Sequence, residues 1–312
     1  MSNYISIVVP CYNEGEVLDL FMDQMEKLKT KLKRPLHIIL VDDGSSDNTL
    51  DLIRSYAKKS WVSYISLSRN FGKEAAMYAG FVSVKGEYIG VMDADLQHDP
   101  DLIPVMEDYL DKGYDVCAAK RRSRLDSSKT YEMGAGVFYN LINKFGQDVN
   151  LEAGVQDFRL MKKKVVDAIV SVGDRSRFSK GIFSWVGFKT KYIATEDRQR
   201  QAGTSKWPMR KSIAYGLDGI LSFSVSPLRI ASYLGGTISL LGFIYAIYVL
   251  IKTLAFGADT KGFATIVILI LLLGGLNLLF LGLIGEYLGR VYNEAKNRPI
   301  YIVGEEKLYE EN

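Results

Sequence analysis

One stretch sets both the fold and the chemistry of the chain: Val91-Met92-Asp93-Ala94-Asp95-Leu96-Gln97-His98-Asp99-Pro100. The residues that lead into it, Gly86 to Met92, form a short apolar run rich in β-branched and aromatic side chains, which predicts a buried strand. Side chains two residues apart on an extended backbone point to the same side. We therefore expect Asp93 and Asp95 to face one point at the carboxyl end of this strand.

A carboxylate pair of this kind is typical of a cation site. Two like charges so close are costly unless a cation lies between them. Ligands that are all oxygens favour Mg²⁺ or Mn²⁺, which also bind phosphate oxygens. The alternative interpretation is an exposed strand-to-helix loop in which Asp99 and Pro100 begin the next helix.

The composition argues against several other kinds of functional site. The 312 residues carry a formal net charge of +3, which gives no indication of a nucleic-acid partner. The two cysteines, Cys11 and Cys117, lie in apolar strand-like runs, so we expect buried thiols in a reducing compartment and no disulfide framework. With only two histidines, His37 and His98, a Cys/His zinc site or a His-based triad is disfavoured.

Two long uncharged segments predict a membrane hairpin. Residues 230–251 and 263–285, 22 and 23 positions, contain no charged side chain, and each can cross a hydrocarbon core of about 30 Å. The connection between them, Gly257 to Gly262, is short. Basic residues flank the two segments at the ends away from this connection. The positive-inside rule therefore places the N-terminal part and the C-terminal tail in the cytoplasm. We expect the chain in the inner membrane. The flanking basic residues are Lys206, Arg210, Lys211, Arg229, Arg290, Lys296 and Arg298.

Strands and helices alternate through the first 120 residues, which predicts an α/β fold with a mostly parallel sheet covered on both faces. Ligands of such sheets bind at the carboxyl ends of the strands, and here the first four predicted strands each end in a polar cluster. Neither a Gly-x-Gly-x-x-Gly turn nor a Walker loop is present, so a dinucleotide fold and a P-loop are not supported. The predicted strands are Tyr4–Pro10, Leu36–Val41, Val62–Leu67, Gly86–Met92 and Asp115–Ala119, and the helices between them are Glu16–Leu32, Thr49–Lys58, Glu74–Val84 and Pro100–Lys112.

These polar clusters resemble the motifs of glycosyltransferase family 2, whose members have a nucleotide-sugar-binding GT-A fold. The similarity rests on Val8-Val9-Pro10-Cys11-Tyr12-Asn13-Glu14, Val41-Asp42-Asp43-Gly44-Ser45, Arg69-Asn70-Phe71-Gly72-Lys73 and Asp93-Ala94-Asp95-Leu96-Gln97-His98. Together with the hairpin, the Asp-Ala-Asp-Leu-Gln wording is similar to the polyprenyl-phosphate glycosyltransferases. That subgroup includes the bactoprenol glucosyltransferases and the dolichyl-phosphate mannose synthases.

The resemblance implies a donor site at the strand ends. It assigns nucleotide-sugar binding to Pro10, Tyr12, Glu14, Asp42, Asp43, Lys73 and Asp93, with Asp43 as the expected base contact. An alternative for Asp42 is a turn residue that hydrogen-bonds its own backbone. Mg²⁺ or Mn²⁺ would be held by Asp93, Asp95 and Gln97, and Asp95 is a catalytic candidate because the metal it holds would neutralise the leaving diphosphate.

The resemblance also implies a basic clamp for an acceptor phosphate, because guanidinium groups bind phosphate in a bidentate manner. The alternative is a solvated charge run that meets anionic lipid head groups. A second catalytic candidate, Asp157, would face the acceptor, either as a general base or as a residue that orients the attacking group. Asp157 could equally pair with Arg159 or Arg122 and hold the clamp in shape. A phosphate monoester is already largely a dianion at neutral pH, so it needs positioning more than deprotonation. The clamp residues are Arg122, Arg124, Arg200, Ser205 and Lys206.

The expected organisation follows from these assignments. Residues 1–207 form a cytoplasmic GT-A domain, 208–227 an amphipathic interfacial helix, 228–292 two membrane helices (about 229–254 and 263–288), and 293–312 a cytoplasmic tail. The expected reaction is inverting transfer of a hexose, with glucose from UDP-glucose favoured, to a membrane polyprenyl phosphate such as undecaprenyl phosphate. Glycines in the hairpin permit close helix packing and favour a homo-oligomer. A processive polysaccharide synthase and a non-catalytic membrane scaffold are the alternatives.

Overall fold

The computed structural model of the chain describes residues 3–121, 143, 151–175, 177–195, 224–256 and 262–309. These residues form eight strands and eight helices. The strands are β1 (Ile5–Cys11), β2 (Leu36–Asp42), β3 (Val62–Leu67), β4 (Tyr88–Val91), β5 (Val116–Arg121), β6 (Val155–Lys162), β7 (Thr190–Thr195) and β8 (Val303–Lys307). The helices are α1 (Leu18–Lys29), α2 (Thr49–Tyr56), α3 (Lys73–Ser83), α4 (Leu102–Asp111), α5 (Lys163–Ser171), α6 (Ser179–Trp185), α7 (Ser226–Phe256) and α8 (Phe263–Ala295).

The strands form one sheet in the order β7-β5-β6-β4-β1-β2-β3-β8. The four strands β4, β1, β2 and β3 are neighbours and run parallel, which confirms the expected α/β fold with a mostly parallel sheet. Their register pairs Cys11 with Asp42 and Asp42 with Ser66. The carboxyl ends of these strands therefore meet at one edge, where the polar clusters come together as predicted.

Strand β6 enters the sheet antiparallel to β4, and this pairing was not predicted. Val91 lies opposite Arg159 in the register. Because antiparallel strands run in opposite directions, the chain two residues after Val91 and the chain two residues before Arg159 reach the same place. The topology in this way brings Asp157 to Asp93, although 64 residues of sequence separate them.

Helices cover both faces of the sheet, as the alternation of elements predicts. On one face α1, α2 and α4 bury residues such as Phe21, Ile53 and Met106 against the strands. On the other face α3, α5 and α6 do the same. Helix α3 lies very close to β1, because a Cβ on Gly80 would be 2.3 Å from Cγ1 of Val8. Both cysteines are free and buried, as expected.

Helices α7 and α8 are long and apolar, and most of the side chains whose burial is described are exposed. They contain 31 and 33 residues, so α7 alone spans about 46 Å at 1.5 Å per residue. Segments Ser226–Val249 and Leu272–Ala295 are long and apolar enough to cross a membrane, and neither is buried within the chain. The predicted hairpin is thus present in the described residues. The predicted interfacial helix falls mainly on residues 208–223, outside the described part of the chain.

After α8 the chain returns to the eight-stranded sheet. Strand β8 pairs antiparallel with β3 at the sheet edge, and Glu305 accepts two hydrogen bonds from the guanidinium of Arg54 at 2.8 and 3.0 Å. At the end of α8, the backbone N–H of Arg175 donates to Glu294 Oε1 at 2.9 Å, and its Nε donates to the carbonyl of Arg298 at 2.7 Å. A strand paired in this sheet lies on the same side of a membrane as the sheet itself.

Candidate active site at the carboxyl edge of the sheet

The loop after β1 is held by the loop after β2. The backbone N–H of Asn13 donates to Ser45 Oγ at 3.0 Å, and that of Glu14 donates to Thr49 Oγ1 at 2.9 Å. Asn13 adopts a left-handed conformation with φ 54°, which turns the chain sharply and leaves the neighbouring Tyr12 44% exposed. The structure therefore places Tyr12 and Glu14 beside Asp42 and Asp43, at the opening of the site.

Asp42 and Asp43 are both buried but have different partners. Asp42 accepts the N–H of Ser45 at 3.1 Å and the hydroxyl of Ser66 at 2.8 Å. Asp43 accepts the backbone N–H groups of Phe71 and Gly72 at 2.7 and 2.9 Å. Burial raises the pKa of Asp43 above its ordinary value, and these two N–H donors oppose the rise. Asp42 thus holds its own turn against β3, and Asp43 holds the loop that leads into α3.

The residue at position 44 must be glycine because the loop after β2 lies close against the backbone of Arg69. Its φ is +66°, and a Cβ there would be 2.4 Å from the carbonyl carbon of Arg69. Only glycine fits both conditions. The loop after β2 and the loop after β3 can consequently lie against each other, which sets the position of the first residue of α3, Lys73.

Lys73 bridges two of the predicted site residues, Asp93 and Asp157. Its Nζ lies 2.7 Å from Asp93 Oδ1, 2.8 Å from Asp93 Oδ2 and 3.0 Å from Asp157 Oδ2. The ammonium holds the pKa of Asp157 below its ordinary range, although burial alone would raise it, and Lys180 on α6 adds to the effect. The two carboxylates raise the pKa of Lys73 although burial opposes this. Asp157 is therefore an ionised partner of Lys73 in this arrangement, and a weak base.

The stretch Asp93 to Asp99, which follows the end of β4 at Val91, alternates in exposure. Asp93, Asp95, Gln97 and Asp99 are half-buried and reach the solvent side, and the residues between them are buried. The Gln97 N–H donates to Asp95 Oδ1 at 3.1 Å. Leu96 has φ 55°, which turns the chain so that the carboxylates stay at the sheet edge.

Two residues, His98 and Arg159, support the site although the sequence analysis assigned no role to them. His98 stacks on Phe158 with ring centroids 5.2 Å apart, and its burial lowers its pKa. Arg159 is buried with its guanidinium 3.6 Å from the ring centroid of Phe183, and it donates to the carbonyls of Asp157 and Gln156 at 3.1 and 2.8 Å. Asp157 pairs with Lys73, so its carboxylate does not take Arg159 as its partner. The sequence signals for His98 and Arg159 were their places beside Gln97 and Asp157.

The donor set of Asp93 and Asp95 suits a hard divalent cation that shares its ligands with a substrate. Among the described residues no group of three or more His, Cys, Asp or Glu side chains converges on one point. A cation held by this protein would therefore need further oxygens, and Mg²⁺ typically binds one or two carboxylates together with substrate phosphates. The side chains present fit that mode of binding, with Gln97 able to add an amide oxygen.

The residues predicted to bind the donor and the metal lie together at the carboxyl edge of the sheet. The residues predicted for the acceptor clamp lie outside the described part of the chain. Arg122, Arg124, Arg200, Ser205 and Lys206 all fall in ranges that the structure does not describe. The residues that meet at the sheet edge are Pro10, Tyr12, Glu14, Asp42, Asp43, Lys73, Asp93, Asp95, Gln97 and Asp157.

Almost the whole chain is similar to known glycosyltransferases. Residues 6–170 match the family model "Glycosyl transferase family 2", and residues 226–291 match "GtrB C-terminal hairpin". An uncharacterized glycosyltransferase of Synechocystis sp. is 42% identical over 98% of this chain and 96% of its own length. The bactoprenol glucosyl transferase of Shigella phage SfV is 37% identical over 97% of this chain and 99% of its own.

Similarity to solved structures is lower. A mannosyltransferase from Pyrobaculum calidifontis, in complex with GDP-Man and Mn²⁺, is 16% identical with a TM-score of 0.49, and the match covers 87% of this chain and 81% of that one. The family match spans more than half of the chain and the sequence relatives span nearly all of it. The chain is a member of glycosyltransferase family 2, with the GT-A type fold of that family and a C-terminal hairpin of two apolar helices.

Proposed function

We propose that this protein transfers glucose from UDP-glucose to the phosphate of a membrane polyprenyl phosphate such as undecaprenyl phosphate. The observation that carries the proposal is the meeting of Asp93, Lys73 and Asp157, with Asp95 two residues after Asp93, at one edge of a sheet whose last strand, β8, follows directly from a membrane-length hairpin. A polyprenyl phosphate cannot leave the bilayer, so its glycosyltransferase must work at the interface. Relatives named as bactoprenol glucosyl transferases supply the choice of sugar and lipid.

The donor would bind at the ends of β1 and β2. Carboxylates there can accept hydrogen bonds from the N–H of a uracil ring or from ribose hydroxyls, and Tyr12 is exposed beside them. Because both Asp43 oxygens already accept backbone N–H groups, a base contact by Asp43 would use their remaining lone pairs. Pro10 and Glu14 shape the same loop.

Divalent metal dependence is part of the proposal. Asp93, Asp95 and Gln97 would hold Mg²⁺ or Mn²⁺, which when bound neutralises the negative charge that develops on the leaving diphosphate. The chain contributes the fixed orientation of the two carboxylates, since Ala94 between them and Leu96 after them are buried in the core. Asp95 would be the side chain whose loss is most damaging.

For Asp157 we favour the orienting role over the general base. Lys73 and Lys180 stabilise the ionised carboxylate, which weakens it as a proton acceptor near neutral pH. The acceptor phosphate is already largely dianionic there. Arg159 fixes the backbone of Asp157 through its carbonyl, and such positioning is what an in-line attack needs. The acceptor clamp would come from Arg122, Arg124, Arg200, Ser205 and Lys206.

The membrane arrangement follows from the same features. Residues 1–207 would form the catalytic domain and 208–227 an interfacial helix, with the hairpin at 228–292 anchoring both in the inner membrane. Pairing of β8 with β3 requires an even number of crossings between them, and the basic residues that flank the hairpin put the domain and the tail at 293–312 in the cytoplasm. A homo-oligomer built through the hairpins is also proposed.

The experiment that tests the proposal offers purified full-length protein a panel of labelled sugar nucleotides with undecaprenyl phosphate. We expect organic-extractable label from UDP-glucose, and none when the lipid is omitted. Turnover only with GDP-mannose would refute the choice of donor. Label that accumulates in long polymers would favour a processive synthase, and absence of any transfer or hydrolysis would favour a scaffold.

A further inference from the structure

The ammonium of Lys73 occupies the carboxylate that the proposed metal would need. Its Nζ contacts both oxygens of Asp93, at 2.7 and 2.8 Å, and one oxygen of Asp157 at 3.0 Å. Asp93 therefore already has a cationic partner that belongs to the chain itself.

A second cation cannot take the same position on Asp93. A divalent ion binds carboxylate oxygens directly at 2.0–2.6 Å, and at that range it would repel an ammonium that touches both oxygens. Lys73 has the means to move, because its side chain is 40% exposed and its four-carbon stem is flexible. The backbone of Lys73 cannot follow, since Asp43 holds the two residues before it.

We propose that Lys73 is an internal competitor for the divalent cation, and that the diphosphate of a sugar nucleotide draws its ammonium away from Asp93. The diphosphate offers the ammonium a new anionic partner and brings oxygens that complete the coordination of the metal. Metal and donor should then bind with strong mutual dependence, and the metal alone should bind weakly. This inference deepens the proposed function and depends on its metal requirement.

The competing interpretation is a purely structural ion pair. In that case Lys73 would hold the start of α3 against β4 and β6 in every state of the protein. Removing its charge would then lower stability and would not increase the affinity for a cation. The two interpretations predict opposite changes in metal binding, so metal binding is the measurement to make.

The experiment measures Mn²⁺ binding to the full-length, detergent-solubilised protein from the electron paramagnetic resonance signal of free Mn²⁺, with and without UDP. We expect Lys73→Met to bind Mn²⁺ about tenfold more tightly than the wild type without UDP, which corresponds to about 1.4 kcal/mol. Lys73→Arg keeps the charge and should stay close to the wild type. UDP should tighten Mn²⁺ binding strongly in the wild type and much less in Lys73→Met.

A matched control is Lys59→Met, which removes another lysine that pairs with a single carboxylate, Glu26, away from the site. It should leave Mn²⁺ binding unchanged, and thermal unfolding of each variant reports whether the fold is retained. If Lys73→Met binds Mn²⁺ no more tightly than the wild type, or if Lys73→Arg behaves like Lys73→Met, the competition is refuted. If the wild type still binds Mn²⁺ with UDP in that case, the proposed function stands. If no variant binds Mn²⁺ with or without UDP, the metal requirement and this inference fail together.

Discussion

Asp42 and Asp43 are adjacent buried carboxylates, and the structure predicts that replacing each with asparagine has a different cost. Asp43 faces two backbone N–H groups, of Phe71 and Gly72, which can only donate. An asparagine has one acceptor oxygen and one NH₂ group, so one of these N–H groups would meet another donor. Asp42 faces one N–H and the hydroxyl of Ser66, and a hydroxyl can turn round to accept from the amide.

The magnitudes follow from these partners. Asp43→Asn leaves a buried donor without an acceptor, at about 1–3 kcal/mol, and replaces a charge-assisted bond by a neutral one, for a total near 3 kcal/mol. Asp42→Asn only replaces charged bonds by neutral ones, at about 1 kcal/mol or less. With about 2–4 °C per kcal/mol for a domain of this size, the melting temperature should fall by about 6–12 °C for Asp43→Asn and by about 2–4 °C for Asp42→Asn.

The assay is thermal unfolding of the full-length protein in detergent, followed by intrinsic fluorescence without nucleotide, so that substrate contacts do not enter. Asp51→Asn, an exposed residue on α2, serves as the control and should change the melting temperature little. Equal losses for Asp42→Asn and Asp43→Asn, or a larger loss for Asp42→Asn, would refute this account of the two loops.

Three further predictions concern the reaction, the membrane and pH. Asp157→Asn should keep part of its turnover and show no rescue at higher pH, because an orienting carboxylate is not replaced by hydroxide; strong rescue in the pH–rate profile would make it a base. A cysteine in the Gly257–Gly262 turn should react with an impermeant maleimide outside the cell, and one replacing Leu308 should not; the reverse labelling pattern would contradict the topology. Burial lowers the pKa of His37 from its ordinary value near 6.5 to about 4, so a share of the stability, about 3 kcal/mol, should be present above pH 6.5 and lost as the pH falls toward 4. Denaturation curves at several pH values should show this share missing in His37→Gln, and an unchanged pH dependence would contradict it.

The elements up to β5 could be predicted from local patterns because each couples an apolar run with turn residues. The strand Val62–Leu67 was predicted with the bounds that the structure gives, and β1, β2 and β4 differ by one or two residues at their ends. The carboxyl edge followed from the parallel topology alone. Periodicity and turn chemistry thus located the polar edge of the sheet before any contact was known, and the family resemblance supplied the prediction that a sugar donor binds there.

Strand β8 could not be predicted from the sequence because its formation depends on pairing with β3. Strand β8 contains Glu305, Glu306 and Lys307 with one apolar residue, Val303, so no apolar pattern marks it. It forms because the edge of β3 is open to it and Arg54 holds Glu305. An edge strand of this kind is specified by its partner more than by its own residues.

The contact of Lys73 with Asp93 and Asp157 also depends on tertiary pairing and could not be predicted from local patterns. These residues are 20 and 84 positions from Lys73, and their meeting depends on the register of β6 with β4. A motif could mark Lys73 as a donor ligand, but it could not show which carboxylates its ammonium touches. Side-chain reach across a sheet edge becomes visible only when the strand order is known.

Direct transfer of glucose to a lipid phosphate is tested by the stereochemistry of the lipid product. Purified full-length protein is incubated with UDP-glucose, undecaprenyl phosphate and Mg²⁺, and the anomeric centre of the lipid product is identified by NMR. A single in-line displacement on the α-linked donor predicts a β-linked glucosyl phosphate lipid, which Asp95→Asn should fail to make. Glucose released to water without any glucosylated lipid, or an α-linked lipid product, would contradict the account.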